Sequence, residues 1–448
     1  MVVKKTSAPL LKRLKNRIIA LSAFIALGCA LPAGIWADTV GESEPSVIRD
    51  YRTGVIAGLK TIPQLQRSKI EIELKHLDED DSRWSYVPTI ELAGYYYFSA
   101  DEATISFHAA NYRPWEPYYS LQAREMITDI AMLKHAEAIS LAAKKIAESY
   151  LKLLVQQRLA DQYLQMEQLA EKKKRFVEIK SEISASSPLD MAIAQRTRQQ
   201  LKARTEAALL RAQAIEDGLV IGLNLPENST FDLERIVVLE QILGQDWVKG
   251  LARLTQPENS FQYQIHQKME LLQEKKILLA YSKYMPDLLL GVRTPDALSL
   301  SSQEDIDYFF YIGVGVTLWD GQKRSRDITR QELLLRQLKY DTRAFENDES
   351  LKWLEAVQNY TVAVLEVQTS ADLLELNKAR LKKLGYDLET GNVSPQDYFD
   401  SQMRGHQKSI EHILKEHKMF KAGLELRHLS GQLLTDTVNI SFSDYRDD

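Results

Sequence analysis

Two stretches of the chain place apolar residues alternately three and four positions apart, the spacing of a long helix that faces a partner helix. The first runs Ile139, Ala143, Ile146, Tyr150, Leu153, Ala160 and Leu164, with Gln157 interrupting it. The second runs Trp353, Val357, Tyr360, Val364, Val367, Ala371 and Leu374. Each pattern predicts the seam of a left-handed coiled coil. No Pro or Gly occurs from Tyr118 to Ser187 or from Gln322 to Leu384. Each stretch can therefore be one helix of about 60 residues, about 90 Å long at 1.5 Å per residue.

A second period appears between these stretches. Tyr308, Phe310, Ile312, Val314, Val316 and Leu318 take every second position, while Phe309, Tyr311, Gly313, Gly315 and Thr317 fill the gaps. One face is apolar throughout, and about eleven residues is what a tilted strand needs to cross a bilayer. Thr89 to Phe98 repeats the alternation, with Ile90, Leu92, Gly94, Tyr96 and Phe98 opposite Thr89, Glu91, Ala93, Tyr95 and Tyr97. Its tyrosine-rich end suits a membrane interface, where rings with polar tips are favoured. A water-soluble hairpin packed on the helices would show the same short alternation.

The chain also repeats itself. Tyr86-Val87-Pro88 returns as Tyr284-Met285-Pro286, 198 residues later. Ser187-Pro188-Leu189-Asp190 with Gln195 returns as Ser394-Pro395-Gln396-Asp397 with Gln402, offset by 207. Leu219 to Leu223 and Leu429 to Leu433 close the copies, with Gly222 and Gly431 209 apart. Such internal similarity must be read before any fold is assigned. The expected fold is mainly α with a small β part: long antiparallel coiled-coil hairpins, about four transmembrane strands per protomer and an internal two-fold repeat. Four strands cannot close a barrel when known ones begin near eight. Open edges in hydrocarbon are not tolerated, so protomers would have to share one barrel.

Residues 1–37 read as a signal peptide. Six basic and no acidic residues occupy the first seventeen positions, Ile18 to Leu31 is almost wholly apolar, and Ala37 stands before Asp38; the apolar run is too short for a membrane span. Cys29, the single cysteine, follows Ala26-Leu27-Gly28 and offers an alternative lipidation site. With Cys29 removed no disulfide or thiolate metal site is possible. Residues 38–226 form the first repeat (helix, strand pair, long helix, tip, return helix), 227–255 a connector expected at the equator, 256–433 the second repeat, and 434–448 a polar tail. Without the leader the balance is 51 basic to 62 acidic residues, which argues against nucleic acid as a partner. The run Lys172-Lys173-Lys174-Arg175 is expected to be a solvated helix face.

These residues resemble the outer-membrane efflux protein family, over about Val47 to Leu433. The most specific piece is Gly313-Val314-Gly315-Val316-Thr317-Leu318-Trp319-Asp320-Gly321-Gln322-Lys323-Arg324, which looks like the family's last strand and its turn into the long helix. Gln256-Pro257-Glu258, ahead of a helix ending at Tyr284-Met285-Pro286, is similar to the family's opening of a repeat. The resemblance implies a homotrimer whose strands build one barrel in outer-membrane lipid of a Gram-negative cell. An α-barrel tunnel would extend it across the periplasm to a periplasmic adaptor protein and an inner-membrane pump or ABC transporter. It implies that Leu388 to Asp397 is the helical hairpin at the periplasmic tip, with Gly391, Asn392, Val393 and Ser394 in the adaptor-docking turn and Ser184 and Ser187 in the matching turn of the first repeat. Asp397 and Asp400, with Asp190 in the first copy, then fall where acidic rings narrow the tip and select cations. Three copies of each on one axis would attract cations on physical grounds alone, although acids in a first helical turn are also favoured by the helix dipole. Ser184 stands where the second copy has Gly391.

Glu73-x-x-His76 and Glu425-x-x-His428 have the spacing used by di-iron bundles, but the two bridging glutamates that such a centre also needs are not singled out. No His-Glu-x-x-His, phosphate loop or Gly-x-Ser-x-Gly elbow occurs. The sequence therefore points to no enzyme, no cofactor and no metal. It points to a passive exit channel of a tripartite efflux or type I secretion system, the alternative being a periplasmic coiled-coil scaffold.

Overall fold

The computed structural model describes residues 47–48, 51–87, 90–97, 102–113, 115–182, 187–226, 229–231, 235–243, 260–294, 309–431 and 433. The expected signal peptide with Cys29, Ser184, Tyr308 and the tail 434–448 lie outside them. In the first repeat, α1 (Tyr51–Thr61) and α2 (Pro63–Trp84) lead to β2 (Ile90–Tyr97), β3 (Glu102–Tyr112), the long α3 (Trp115–Glu182) and the return helix α4 (Pro188–Gly222). In the second, α6 (Phe261–Ser282) leads to β5 (Asp287–Thr294), β6 (Phe309–Gly315), the long α7 (Lys323–Glu389) and the return helix α8 (Pro395–Leu429). From α2 and α6 onward, the two repeats have the same sequence of elements. Between them β4 (Thr230–Phe231) pairs in parallel with β1 (Val47–Ile48), followed by α5 (Arg235–Leu243).

The two long helices have 68 and 67 residues, the return helices 35 each, and α2 and α6 22 each. At 1.5 Å per residue the long helices run about 100 Å. The return helices end alike, but not at the paired glycines. Asn224 (φ 49°) and Gly431 (φ 71°) take the left-handed position after the last turn, 207 residues apart like the tips, while Gly222 lies inside its helix. Asn is the commonest substitute for Gly in that conformation.

Packing sets the order of the helices. Helix α3 packs on α2, α4, α6 and α8, whereas α7 packs on α6 and α8. The layer therefore runs α4, α3, α8, α7 toward the tips and α2, α3, α6, α7 toward the strands. Helix α3 lies inside the layer, so its expected seam is covered: Ile139, Ala143, Ile146, Tyr150, Leu153 and Ala160 are buried, and Leu164 is exposed. Helix α7 stands at an edge, and its seam falls elsewhere. Ile328, Thr342, Glu349, Ala356, Ala363 and Ser370, at heptad spacing or a multiple of it, are its buried residues, while Val357 is exposed and Trp353, Tyr360, Val364, Val367, Ala371 and Leu374 are half-buried. From Ala356 to Ser370 small side chains mark the line of closest approach, and the larger ones flank it.

Gly405 on α8 belongs to that line. A Cβ there would come within 2.9 Å of Asn377 Nδ2 and 3.1 Å of Leu381 Cδ1. Gly405→Val is expected to destabilise the protein by about 1–3 kcal/mol, the usual cost of overpacking, and to lower its thermal midpoint. An unchanged midpoint would mean that α7 and α8 have room to spare.

The main core sits halfway along the bundle. Tyr51 and Val55 of α1, Ala143, Tyr150 and Leu154 of α3, Leu219 of α4, Phe231 of β4, Val238 and Ile242 of α5, and Met419, Phe420 and Leu424 of α8 share it. Tyr150 meets Tyr51 and Phe231 edge-on, with ring centres 5.8 and 5.9 Å away. The Tyr51 hydroxyl donates to Ala143 O at 3.0 Å, and Arg427 donates to Ile242 O at 2.7 Å. Helix α5 packs there against α1, α3 and α8.

Among the described residues the main sheet has four strands, all antiparallel, in the order β2-β3-β5-β6. Residues opposite one another in antiparallel pairs share a face. One set of rows reads Leu92, Phe107, Val292, Phe310; Ile90, Ala109, Leu290, Ile312; and Tyr112, Leu288, Val314. The alternate rows read Glu91, His108, Gly291, Tyr311 and Ala93, Ser106, Arg293, Phe309. The sheet therefore has one apolar and one largely polar face. On the apolar face Phe310, Ile312 and Val314 are 80, 82 and 64% exposed. Gly291 lets the Tyr311 ring cross it, since a Cβ would lie 2.4 Å from Tyr311 Cζ.

The strand expected from Tyr308 to Leu318 stops pairing at Gly315, opposite Asp287. The next residue on the partner, Pro286, has no N–H to continue the ladder, so Val316 and Leu318 run on unpaired and exposed.

Candidate functional site

Two regions of the second repeat carry chemistry: the helical tip, and the collar where strands meet helices. At the tip α7 ends in a Schellman motif. Gly391 (φ 77°) donates to Leu388 O at 3.1 Å and Asn392 to Asp387 O at 2.8 Å, so the last carbonyls are satisfied. A left-handed residue is required there, which glycine adopts without strain. The side chain of Asn392 donates to Thr390 Oγ1 at 3.0 Å, and Val393 follows in the turn.

Ser394 caps α8: its hydroxyl accepts from Asp397 N at 3.1 Å and donates to Asp397 Oδ2 at 2.6 Å. The cap of α4 in the first repeat is built alike. Ser187 Oγ accepts from Leu189 N at 3.2 Å, and Asp190 Oδ2 accepts from Ser187 N at 3.1 Å. Asp190 and Asp397 are both exposed and both close a cap. Each therefore has the local helix-starting role and remains open to solvent at the tip.

Asp400 differs. Its carboxylate is ion-paired with Lys173 of α3, joining the two hairpins. The expectation that Lys172 to Arg175 is a solvated face holds for Lys172 and Arg175, which are exposed, but Lys173 is turned inward. Its place explains this. Met166, Ala170, Lys173 and Val177 follow the seam spacing of α3, so Lys173 is a cation in an apolar slot. Beside it Phe176 meets Phe399 edge-on at 6.4 Å, and Lys180 lies 4.9 Å above the Phe176 ring.

The collar was not singled out by the sequence patterns. Trp84, Tyr86, Trp115, Tyr118, Tyr284 and Trp319 all flank the strand ends, and all are exposed, Trp84 by 74% and Trp319 by 78%. Amphipathic rings next to strand ends are what a membrane–water boundary favours. The signal was available, because each of these residues lies within a few positions of a strand end or of the proline preceding a strand.

Polar contacts fix the collar. Arg113 pairs with Asp287 across the sheet, and this hydrogen bond raises its pKa further. Tyr112 donates to Tyr86 O at 2.7 Å. Arg324 donates to Asp320, to Lys283 O at 2.9 Å and to Thr317 O at 2.7 Å, and its guanidinium lies 5.1 Å from the Tyr284 ring centre. The hydrogen bond from Arg324 holds the Asp320 carboxyl below its usual range. Gly321 and Gln322, at φ 65° and 62°, turn the chain from strand into α7.

The di-iron spacing leads nowhere in the fold. His76 faces Glu79, Glu425 pairs with Lys144, and His428 Nδ1 lies 3.2 Å from Ser140 Oγ. Among the described residues no group of His, Cys, Asp or Glu is placed to hold a metal ion. No described helix is long and apolar enough to cross a membrane.

No protein-family model and no curated protein matches the chain. Solved structures do. The chain is similar to the CmeC outer membrane channel of Campylobacter jejuni, at 11% identity and a TM-score of 0.65, with 90% of this chain and 95% of that one covered. It is similar to the MtrE outer membrane channel of Neisseria gonorrhoeae in its open state, at 11% identity and a TM-score of 0.67, with 87% and 94% covered. It is similar to the outer membrane protein VceC of Vibrio cholerae, at 11% identity and a TM-score of 0.66, with 85% and 96% covered. Over 85 to 90% of its length, the chain has the fold of the TolC-like outer-membrane channels.

Proposed function

We propose that this chain is one protomer of a homotrimeric exit duct in the outer membrane of a Gram-negative cell, with its helices extending into the periplasm. The observation that carries the reading is the two-faced sheet, whose apolar rows end at the exposed Phe310, Ile312 and Val314 of β6 and lead to an aromatic collar. In water such a face would be a liability; in hydrocarbon it is the required surface.

Oligomerisation follows from the edges. The sheet leaves β2 and β6 with open sides, and unpaired strand edges are excluded from lipid. The helix layer ends at α2 and α4 on one side and at α7 on the other. Both sides expose apolar residues: Ile70, Leu74, Leu77, Leu209 and Leu210 on the first, Leu351, Leu354, Leu365, Leu373 and Leu376 on the second. Head-to-tail contact between unlike edges closes a ring, with the polar sheet face lining the duct. The number three is an inference from the fold, and it gives a twelve-stranded barrel.

The duct itself catalyses no reaction. Its tips, with Gly391, Asn392, Val393 and Ser394 in the described turn and Ser184 and Ser187 in the matching one, are the surface for a periplasmic adaptor, and an inner-membrane pump or ABC transporter supplies the energy. Asp190 and Asp397 line the entrance, and the Lys173 pair with Asp400 holds neighbouring hairpins together.

A partly exposed ion pair contributes about 1 kcal/mol or less, so the latch is weak enough for an adaptor to release. Lys173→Gln is expected to raise open-channel time in planar bilayers several-fold while keeping cation preference, because the aspartates remain. Asp397→Asn combined with Asp400→Asn is expected to weaken cation preference. Unchanged gating in the first variant and unchanged selectivity in the second would remove these residues from the gate.

A further inference from the structure

The first two turns of α7 carry more positive charge than their contacts use. Lys283, Lys323, Arg324, Arg326, Asp327 and Arg330 line an open hollow of about 380 Å³ at the level of the collar. Arg324 is consumed by the turn it holds together. Asp327 accepts from Lys283 at 2.7 Å and lies 3.7 Å from Arg330, so one carboxylate serves two cations. Lys323 and Arg326 are exposed and make no ion pair with any described residue. The chain enters this patch from the apolar face of the sheet, by way of Leu318, 95% exposed, and Trp319.

We propose that Lys323, Arg326 and Arg330, below Trp319, hold the phosphate headgroups of anionic phospholipids in the periplasmic leaflet of the outer membrane. The inference rests on the membrane reading of the sheet. Acyl chains lie along Leu318, Val316 and Val314, the Trp319 ring sits at the boundary, and the headgroup meets Lys323, Arg326 and Arg330 within one or two helical turns. Basic residues just outside a hydrocarbon face attract anionic lipid in this way, and an indole beside them fixes the depth.

The test uses the full-length protein in detergent. Phosphatidylglycerol and phosphatidylcholine are titrated in turn, and retained lipid is counted by native mass spectrometry. Wild type is expected to prefer phosphatidylglycerol, and neutralisation is expected to lower that preference by about fivefold per cation. Lys323→Gln with Arg326→Gln and Arg330→Gln should abolish it, while Lys323→Arg with Arg326→Lys keeps it. Equal retention of both lipids by wild type, or full retention by the triple glutamine variant, overturns the site. So does displacement by millimolar inorganic phosphate, which would reveal a general anion site. A triple variant that changes ion selectivity without changing lipid retention would place the cations in the duct, and also overturns it. Flotation after detergent removal separates this from the membrane reading: protein that enters neither phosphatidylcholine nor mixed vesicles overturns that reading as well, whereas entry into both without lipid preference overturns the lipid site alone.

Discussion

Ile312→Arg is expected to prevent stable residence in a bilayer while leaving the helical part of each protomer folded. Ile312 stands in the middle of the apolar rows, beside Leu290 and Ala109 in register. An arginine on the lipid face near the bilayer midplane costs about 2–4 kcal/mol, and a ring of identical protomers meets that cost at every copy. The same change at an exposed position in water is ordinarily neutral to within about 0.5 kcal/mol. The two environments therefore predict opposite results for a residue that is 82% exposed. Tyr311→Gln, on the alternate row, provides the control and should insert. Flotation with vesicles after detergent removal reads the difference. Equal incorporation of wild type and Ile312→Arg would exclude lipid from that face.

Acid is expected to weaken the bundle through α8. His406 Nδ1 lies 3.0 Å from Gln162 Oε1 of α3, His412 Nδ1 lies 2.7 Å from Ser370 Oγ of α7, and His428 Nδ1 lies 3.2 Å from Ser140 Oγ of α3. Burial lowers the pKa of all three and of His417, that of His428 to about 4. Around His428, Lys144 lowers the pKa further, while Glu425 and Glu349 oppose it. A histidine with a lowered folded pKa is neutral in the fold while the unfolded chain already binds protons. Stability is therefore level above about pH 6.5, falls as pH drops toward 4, and levels off below the folded pKa. For His428 alone the loss is about 3 kcal/mol, and the other three act in the same direction. Thermal midpoints at pH 8, 5 and 4 in one detergent measure it. His428→Gln should flatten part of the slope; an identical slope in that variant would assign the acid loss to carboxylates elsewhere.

The sequence displayed the parts of the fold that depend on spacing within one chain. The breaker-free stretches became helices of 68 and 67 residues, and the 207-residue offset of Ser187 and Ser394 recurred in matched helix caps. It was less informative where a partner chooses the face. On α7 the apolar list was displaced by one position from Ala356, Ala363 and Ser370, because this edge helix meets few neighbours within its own chain and the line of closest approach there carries small side chains. Strand alternation was legible from Phe310 to Val314, yet the end of pairing at Gly315 depended on Pro286, just ahead of β5. Among the candidate site residues, the caps at Asp190 and Asp397 could be read locally. The Lys173 pair with Asp400 joins positions far apart in the chain and was hidden inside a run of basic residues. The collar escaped notice because its six rings are scattered along the sequence and gathered only by the fold.

The central claim is that several copies of this chain enclose one conducting path through a membrane. The most direct measurement is single-channel recording in a planar bilayer from protein whose detergent-corrected mass has been determined. The account predicts a trimer that needs detergent to remain in solution and that conducts with a preference for cations. A monomer that stays soluble without detergent and gives no conductance would contradict it, and would leave a periplasmic scaffold in its place.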